Sequence, residues 1–459
     1  MRTTPPLARV LLFLVVPLAG AITLDDTDPA SVRAAASTIA HGLMSYYTGN
    51  ETGGTPGNLP SPYYWWEAGA MFGEMVEYWF YTADTTYNSE VSQAMVSQMG
   101  TDGDYMPSNQ TKDEGNDDQV FWAFASMSAA EYNFPAPPSG SPSWLAAAQA
   151  VFNQQASRWD PTTCGGGLRW QIYSFNSGYD YKNAISNLGF FQLSSRLARY
   201  TGNDTYADWA STTWEWFKGS VLYDADTYAI YDGTSDTTNC TSADHTQWTY
   251  NYGAAIGGLA YIYNHTGNAT YLSDLEGILN TTLTTFFPAS MGNKIMAEVT
   301  CQPTGNCDTD ELSFKAYLSR WLAVTAQLVP ALNSTIVPYL QASAIGAAGQ
   351  CDGGTDGVTC GQEWNSTTWD GTYGVGQQMS ALAVIQSLMI NLADLKTPYT
   401  SSTGGTSKSD PTAGSTTKTD SSGYTLTTVT TADRAGAGIL TAVILVGIIS
   451  GSWWLISSD

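Results

Sequence analysis

Two adjacent aspartates, Asp117 and Asp118, stand just ahead of the apolar and aromatic run Val120-Phe121-Trp122. Acidic side chains at such a position often cap a helix and suit its N-terminal dipole, which is the structural interpretation of the pair. Two neighbouring carboxyl groups are also the minimum equipment for cleaving a glycosidic bond, because one can attack the sugar while the other donates a proton. On its own the motif favours the cap, so the rest of the chain must decide.

The elements that would position this pair are helices. Helical periodicity fills the chain from about Ile22 to Leu395 without an internal linker, and Ala68, Phe72 and Met75 share one helical face. Small residues recur in several segments, as expected where an inner ring of helices is enclosed by an outer ring. We therefore predict an all-α fold, an (α/α)6 barrel of six inner and six outer helices; an open α-solenoid is the alternative, although no fixed-period repeat is visible. The predicted helices are 29–47, 66–82, 87–100, 117–133, 143–158, 182–201, 203–219, 248–265, 269–286, 308–329, 332–347 and 374–394.

Four motifs follow one another in this helical segment. They are Tyr64-Trp65-Trp66-Glu67-Ala68-Gly69-Ala70-Met71, Asn116-Asp117-Asp118-Gln119, Tyr181-Lys182-Asn183-Ala184-Ile185-Ser186-Asn187 and Trp248-Thr249-Tyr250-Asn251-Tyr252-Gly253. In this order they resemble glycoside hydrolase family 76, and the chain is similar to its fungal cell-wall members, described as mannan endo-1,6-α-mannosidases. The resemblance covers about residues 30–395. It implies an (α/α)6 fold and a retaining mechanism on α-1,6-linked mannose.

The resemblance also implies roles for the two aspartates, with Asp117 as nucleophile and Asp118 as general acid/base. Retention needs the two carboxyl groups roughly 5–5.5 Å apart. Adjacent residues at a helix start diverge by about 100° round the axis, which can supply that separation. Two carboxylates so close cannot both ionise cheaply, so one should keep its proton to a higher pH.

Aromatic and polar residues near the motifs are candidates for substrate binding. Trp65 and Trp66 could stack on pyranose faces, although either could instead pack between helices. The polar candidates stand at the predicted starts of inner helices, where loops would meet the cleft, and any one of them alone could be a cap or a loop contact. They are Asp180, Asn183, His245, Tyr250 and Asn251.

Composition excludes several classes of partner. The formal charge of −24 disfavours nucleic acid and anionic membrane surfaces. The 16 Trp and 27 Tyr suit neutral or cationic sugars, although an aromatic-rich core is the other interpretation. With only three His and no zinc pattern, we expect no metal and no cofactor.

Both ends of the chain carry export signals. Residues 1–21 have the layout of a secretory signal peptide. The folded domain is predicted to span 22–396, and a Ser/Thr-rich, disordered and O-glycosylated stalk to span 397–431, with Ser421-Ser422-Gly423 as one plausible attachment site for a GPI anchor. The apolar tail in 432–459 would be the removed anchor propeptide, and a tail-anchored membrane helix is the alternative.

Export predicts disulfides and N-glycans. The close pairs Cys301/Cys307 and Cys351/Cys360 most simply bridge locally, which leaves Cys164 for Cys240. Nine sequons predict surface positions, although Cys240 makes the fourth a poorer acceptor if it pairs early. These are Asn50, Asn109, Asn203, Asn239, Asn264, Asn268, Asn280, Asn333 and Asn365.

These features together predict a secreted monomer that is GPI-anchored to the outer face of the plasma membrane and the cell wall. It would cut the α-1,6-mannosyl bond in the core glycan of GPI-anchored proteins and transfer the glycan to wall β-glucan. Two alternatives remain at this level: plain endo-hydrolysis of α-1,6-mannan, and a non-catalytic mannan-binding wall protein, which would have no need of the aspartate pair.

Overall fold

The computed structural model describes residues 22–110, 112–393, 395 and 398–415, and the isolated residues 441, 445 and 450. The predicted signal peptide, the anchor attachment site and nearly all of the predicted apolar tail therefore lie outside the described residues. Within the described part of the chain, no helix has the length and apolar character needed to cross a membrane. The first compact unit of the chain ends at Ser415, and a second unit begins at Thr416.

Twelve long helices account for nearly half of the described chain, and each corresponds to one of the predicted helices. Helix bounds differ from prediction by a few residues at most ends. The helices are α1 (Pro29–Met44), α2 (Trp65–Thr82), α3 (Asn88–Gln98), α4 (Asn116–Glu131), α5 (Trp144–Ser157), α6 (Ala184–Thr201), α7 (Asp204–Gly219), α8 (Thr249–Thr266), α9 (Ala269–Thr285), α10 (Phe314–Leu328), α11 (Asn333–Gly349) and α12 (Val375–Gln386), followed by a single turn, α13 (Met389–Leu392).

The even-numbered helices from α2 to α12 form a closed inner ring. Each packs against the next one, and α12 packs against α2. The odd-numbered helices from α1 to α11 lie outside this ring, each against one or two inner helices. Close packing depends on small residues, since a Cβ atom at Gly69 would lie 2.8 Å from the Trp122 ring and one at Gly258 would lie 2.5 Å from Phe191. The predicted (α/α)6 barrel is confirmed.

One predicted helix begins as a strand, and two predicted helix bounds, at 308 and 394, are wrong by six or more residues. The segment 182–201 begins as strand β1 (Tyr181–Asn183) and becomes helical only at Ala184. The segment 308–329 begins with turns and a short 3-10 helix, so that α10 starts at Phe314. The segment 374–394 breaks after Gln386. In the first two cases loop residues at the barrel end precede the helix, which helical periodicity alone does not separate.

Two small antiparallel sheets lie in the loops that precede the inner helices. Strand β1 pairs with β4 (Gly233–Ser235), with Asn183 opposite Gly233, and β4 pairs with β5 (Ala243–Asp244). Strands β2 (Tyr223–Asp224) and β3 (Ala229–Ile230) form a separate hairpin. The three-stranded sheet holds the start of α6 next to the loop that contains Asp232, because the Ala184 amide donates to the Asp232 carbonyl at 2.7 Å.

Buried ion pairs connect four inner helices in the barrel interior. Arg320 of α10 donates to Glu77 of α2 at 2.8 Å, and Arg196 of α6 donates to Glu131 of α4 at 2.7 Å. Ser128 of α4 joins the two pairs, since its hydroxyl donates to Glu77 at 3.0 Å and accepts from Arg196 at 3.0 Å. Because buried charges must be paired and hydrogen-bonded, this chain of contacts fixes the relative positions of these helices.

Residues 398–415, which we call the strap, continue the folded body beyond the predicted boundary at 396. The Tyr399 amide donates to the carbonyl of Glu131 at 2.8 Å, and the Ser401 amide donates to the carbonyl of Tyr200 at 2.9 Å. The strap thus begins at the C-terminal ends of α4 and α6.

The strap then follows helix α5 toward its C-terminus. The Asp410 amide donates to the Gln149 side chain at 2.7 Å, and Asn153 donates to the Ala413 carbonyl at 2.7 Å. The predicted stalk therefore begins too early, because side-chain amides of the barrel bind the backbone of this polar segment.

The predicted disulfides are confirmed. The bonds are Cys164–Cys240, Cys301–Cys307 and Cys351–Cys360. All nine sequon asparagines lie outside the core: seven are exposed, and Asn203 and Asn333 are half-buried. Their glycosylation stays a prediction.

Candidate active site

A cavity of about 200 Å³ opens at the end of the barrel where the inner helices begin. Its lining residues come from the starts of α2, α4, α6, α8 and α10 and from the loops between them, so the closed ring brings distant parts of the chain together. The lining residues are Trp66, Asp117, Asp118, Phe121, Trp170, Tyr181, Asn183, Ile185, Asp232, Tyr250, Asp310 and Phe314.

The adjacent aspartates occupy the first turn of α4, and each carboxyl group is held by hydrogen bonds. Asp117 accepts from the Asn183 amide at 3.0 Å and from the Asp118 backbone N–H at 3.0 Å. Asp118 accepts from the Gly115 backbone N–H at 2.6 Å. The capping interpretation is therefore correct for Asp118, and it does not exclude catalysis, because both side chains also line the cavity.

Burial dominates the electrostatics of the pair. It raises the pKa of Asp117 well above its usual range, and the charge of Asp118 raises it further, while the Asn183 amide acts in the opposite direction. Burial raises the pKa of Asp118 to about 6, against the effect of the Gly115 N–H. The pair therefore retains a proton near neutral pH, which a site with one acid and one nucleophile requires.

Two further carboxyl groups face the cavity from other elements. Asp310 precedes α10 and accepts a hydrogen bond from the Trp66 indole N–H at 3.0 Å, and burial raises its pKa to about 7. Asp232 follows β3 and accepts from the Tyr181 hydroxyl at 2.8 Å, and burial raises its pKa as well. A cavity with four carboxyl groups favours positive charge that develops on a bound ligand.

Aromatic rings form other parts of the cavity wall. Trp66 packs against Phe121 with ring centroids 4.7 Å apart, so that its position is fixed by the core while part of it faces the cavity. Tyr250 stacks on Phe314 with ring centroids 3.8 Å apart and planes within 5°. Rigid aromatic faces beside hydrogen-bonding groups are the usual components of a site for sugars, whose C–H faces are apolar and whose edges are polar.

Four predicted binding residues do not line this cavity. Trp65 packs against Trp122 with ring centroids 5.3 Å apart, and its indole N–H donates to Gln98 at 2.7 Å, so it belongs to the contact between helices. The Asp180 side chain accepts from Ser235 at 2.9 Å and supports the three-stranded sheet.

The other two differ in burial. His245 is exposed and packs on Tyr231, with ring centroids 4.1 Å apart. Asn251 is fully buried, and its side chain lowers the pKa of Asp232 against the effect of burial. Asn251 can therefore act on the site through Asp232.

Several lining residues were not predicted. Tyr181 belongs to a quoted motif, and Asp310 lies within a predicted inner helix as Asp117 does, so both could have been found by their position in the pattern. Trp170 and Asp232 lie in long loops, where neither spacing nor periodicity indicates which residue faces the cavity. No group of three or more His, Cys, Asp or Glu side chains in the described residues could hold a metal ion.

Comparison with known proteins identifies the family. Residues 31–402 match the model of glycosyl hydrolase family 76. The chain belongs to this family. It is therefore a glycosidase. Its relatives include the mannan endo-1,6-alpha-mannosidase DCW1 of Saccharomyces cerevisiae, which is 49% identical over 439 residues that cover 95% of each chain.

Solved structures of family members have the same architecture. The crystal structure of Dfg5 from Chaetomium thermophilum in complex with glucosamine has 42% sequence identity and a TM-score of 0.80, and the match covers 84% of this chain and 96% of that one. An inactive variant of the α-1,6-mannanase GH76A from Salegentibacter sp. HEL1_6, in complex with α-1,6-mannotriose, has 16% identity and a TM-score of 0.63, with 78% and 99% of the chains covered. This second likeness supports the fold alone.

Proposed function

We propose that this family 76 glycosidase is a retaining enzyme specific for α-1,6-linked mannose, with Asp117 and Asp118 as its catalytic residues. The observation that carries the proposal is the adjacent carboxyl pair, which opens into a cavity with aromatic walls and keeps a proton near neutral pH. The substrate class is supported by the DCW1 relative, which is named a mannan endo-1,6-alpha-mannosidase.

In the first step the Asp117 carboxylate attacks C1 of the mannosyl residue, and the bond from C1 to the leaving oxygen breaks. Asp118 gives its proton to that oxygen, which departs as a hydroxyl group. The product is a β-linked mannosyl ester on Asp117, because attack takes place from the face opposite the leaving group. The carboxyl groups of Asp232 and Asp310, where ionised, stabilise the oxocarbenium character of the transition state.

In the second step an acceptor hydroxyl attacks C1, gives its proton to Asp118 and displaces Asp117, which restores the α configuration. Water as acceptor gives hydrolysis, and a sugar hydroxyl gives transglycosylation. We propose that the acceptor is a cell-wall β-glucan and the donor is the α-1,6-mannosyl bond in the core of GPI glycans. The enzyme would then link glycoproteins to the wall.

This function fits the export signals in the sequence. A secretory signal peptide, a Ser/Thr-rich segment and an apolar tail would place a monomeric, GPI-anchored enzyme on the outer face of the plasma membrane and in the wall. Donor and acceptor glycans meet in that compartment.

Two opposing observations bear on the roles within the pair. The two donors to Asp117, from Asn183 and the Asp118 N–H, favour an anion there and thus the nucleophile role. Burial and the neighbouring charge of Asp118 raise the pKa of Asp117 well above its usual range, which favours its protonated form and thus the acid role. We assign Asp117 as the nucleophile because both of its hydrogen-bond donors stabilise the ionised form, in agreement with the role that the resemblance to family 76 implies.

Trapping the covalent intermediate decides the roles. With an activated aryl α-mannoside, Asp118→Asn should still form a mannosyl adduct on Asp117, and added azide should release α-mannosyl azide because azide needs no general base. Asp117→Asn should give no adduct. An adduct on Asp118 would reverse the roles, and an inverted product from the parent enzyme would exclude the retaining mechanism.

Product analysis decides the acceptor. α-1,6-Mannotriose, incubated with the enzyme with and without a β-1,3-glucan oligosaccharide, should yield a mannosyl–glucan product only when the glucan is present. Mannose and shorter mannosides alone in both reactions would indicate a plain endo-hydrolase. If the parent binds mannotriose but does not turn it over in either reaction, the protein is a mannan-binding protein.

A further inference from the structure

A second cavity, of about 380 Å³, lies outside the catalytic one. We call it the amide cavity. It is formed by the loop of the Cys301–Cys307 disulfide, by the turn before α10, and by residues 362–377, which lead into α12. Its volume falls in the range of sites for small molecules. The residues that line it are Gln302, Gly305, Cys307, Leu312, Gln362, Glu363, Asp370, Gly371, Thr372, Tyr373 and Gln377.

The backbone of Gln362 is held by hydrogen bonds, whereas its side-chain amide makes none to the described residues. Its N–H donates to Asp370 at 2.8 Å and to the Thr372 hydroxyl at 3.0 Å, and its carbonyl accepts from the buried ammonium group of Lys315 at 2.6 Å. The residue is only 4% exposed, yet neither its amide nitrogen nor its amide oxygen has a hydrogen-bond partner among the described residues. An unpaired buried amide is destabilising, so an unpaired amide in the wall of a cavity favours a hydrogen-bonding ligand at that position.

The neighbouring residues extend this polar surface. Gln302 is 3% exposed; its side-chain oxygen accepts from the Glu298 N–H at 3.1 Å, while its side-chain nitrogen has no partner in the described part of the chain. Among the described residues, these two lining residues therefore have two unused amide donor groups and one unused acceptor. Tyr373 lines the same cavity and is 67% exposed.

These groups select for a neutral, hydroxyl-rich ligand. Each sugar hydroxyl can donate and accept, which matches an amide pair, and an exposed aromatic ring matches the apolar face of a pyranose. No Lys or Arg side chain lines the amide cavity, so an anion finds no counter-charge there. Of the two acidic residues in the lining, Asp370 has its carboxylate occupied by the N–H groups of Gln362 and Glu363, at 2.8 and 2.7 Å, which leaves the single carboxylate of Glu363 as a counter-charge for a cation.

We propose that the amide cavity is a second carbohydrate-binding site, which holds one neutral hexose unit through the side-chain amides of Gln362 and Gln302 and the ring of Tyr373. Residues 310–314 separate it from the catalytic cavity, since Asp310 and Phe314 line one cavity and Leu312 lines the other. A polysaccharide bound in the amide cavity is thus separated from the reacting glycan by the short segment 310–314. The choice of glycan rests on the proposed function, whereas the existence of the site does not.

Calorimetric titration of the Asp117→Asn/Asp118→Asn protein tests the proposal without turnover. The probes are α-1,6-mannotriose and laminaritriose, titrated separately. Gln362→Leu removes the amide with little change in volume, and Tyr373→Ala removes the ring. For at least one probe, each substitution should weaken one binding step about tenfold, as expected for the loss of two hydrogen bonds or one stacked ring. The probe affected identifies the source: laminaritriose indicates the acceptor and mannotriose the donor chain.

Gln386→Leu is the matched control. Gln386 is fully buried in α12, its amide atoms also lack partners among the described residues, and it does not line the amide cavity. Both Gln→Leu proteins should be at least as thermally stable as the parent, because each loses an unpaired buried amide, but only Gln362→Leu should lose affinity. Unchanged affinity of both probes for Gln362→Leu and Tyr373→Ala would refute the site. Trp66→Ala should weaken only the binding step that belongs to the catalytic cavity. Failure of the amide-cavity proposal is therefore distinguishable from failure of the catalytic proposal.

Discussion

Asn183 offers the sharpest test of the catalytic arrangement, because its side chain performs two separable tasks. Its oxygen accepts from the Ser186 N–H at 3.3 Å and caps α6, while its nitrogen donates to Asp117 at 3.0 Å. Asn183→Ala removes both interactions. Asn183→Ser keeps a capping oxygen but shortens the side chain, so that the donor to Asp117 is lost.

The two interactions of Asn183 set the expected changes in kcat/KM and in Tm. A hydrogen bond to a charged group contributes about 1.5–3 kcal/mol, so the loss of this donor should lower kcat/KM about 10- to 150-fold in both variants. The cap contributes about 1 kcal/mol, which should lower Tm by about 2 °C in Asn183→Ala but not in Asn183→Ser.

The pH dependence shows which role Asp117 has. The Asn183 amide lowers the pKa of Asp117, so its removal raises that pKa. If Asp117 is the nucleophile, it must be ionised, and the acidic limb of the kcat/KM profile should move to higher pH in both variants. If Asp117 is instead the acid, the basic limb should move to higher pH.

The assay is the pH profile of kcat/KM for an aryl α-mannoside, together with a thermal melt of each variant. Rate loss in Asn183→Ala but not in Asn183→Ser would show that the cap, and not the donor, matters. An unmoved profile in both variants would refute the contact between Asn183 and Asp117 as a determinant of catalysis.

Three further outcomes are expected. With an unactivated mannoside, kcat/KM of the parent should fall as pH rises through about 6, because Asp118 must be protonated to act as the acid; a profile flat to pH 8 would contradict this role. Arg320→Ala should lose about 3–5 kcal/mol of unfolding free energy in denaturant titrations, because Glu77 is left buried and unpaired, whereas Arg320→Met with Glu77→Leu should lose less; equal losses would show that the charge is not the cause. Truncation after Ser415 should leave the melting temperature unchanged, whereas truncation after Leu395 should lower it, because only the latter removes the strap; equal melting temperatures would show that the strap adds no stability.

Helical periodicity predicted the barrel well because most of the sequence pattern reports on helices that pack in two concentric layers. Residues in or just before the first turns of inner helices, such as Asp117, Asn183 and Tyr250, were placed at the cavity for the same reason: the ring brings all these turns to one end. Trp65 and Trp66 are adjacent and chemically alike, so the sequence does not separate them. Only the helix rotation does, by directing one ring at Trp122 and the other at the cavity.

Loops were predicted less well, because their paths depend on contacts with distant residues. Asp232 reaches the cavity through the pairing of β1 with β4, which no short-range pattern reveals. The prediction that the strap belongs to a disordered stalk is wrong for a related reason. Its composition indicates that it cannot bury much apolar surface, yet its backbone is bound by side chains such as Gln149 and Asn153, some 260 residues earlier. Low hydrophobicity predicts the absence of a core, and not the absence of a docking surface.

The strap also changes the mechanical reach of the enzyme. Of the 35 residues of the predicted stalk (397–431), the 18 residues of the strap (398–415) are held against the barrel and cannot act as a spacer to an anchor. At about 3.5 Å per extended residue, this binding removes about 60 Å from the reach that those residues would give as a free spacer. The strap ends beside the end of α5, since Gln154 donates to the Gly414 carbonyl at 2.6 Å, and α5 leads into the loop that carries Trp170 to the catalytic cavity. If the predicted anchor follows, a spacer shortened in this way confines the enzyme to glycans near its own attachment point, so that encounter with a donor becomes a local search at high effective concentration.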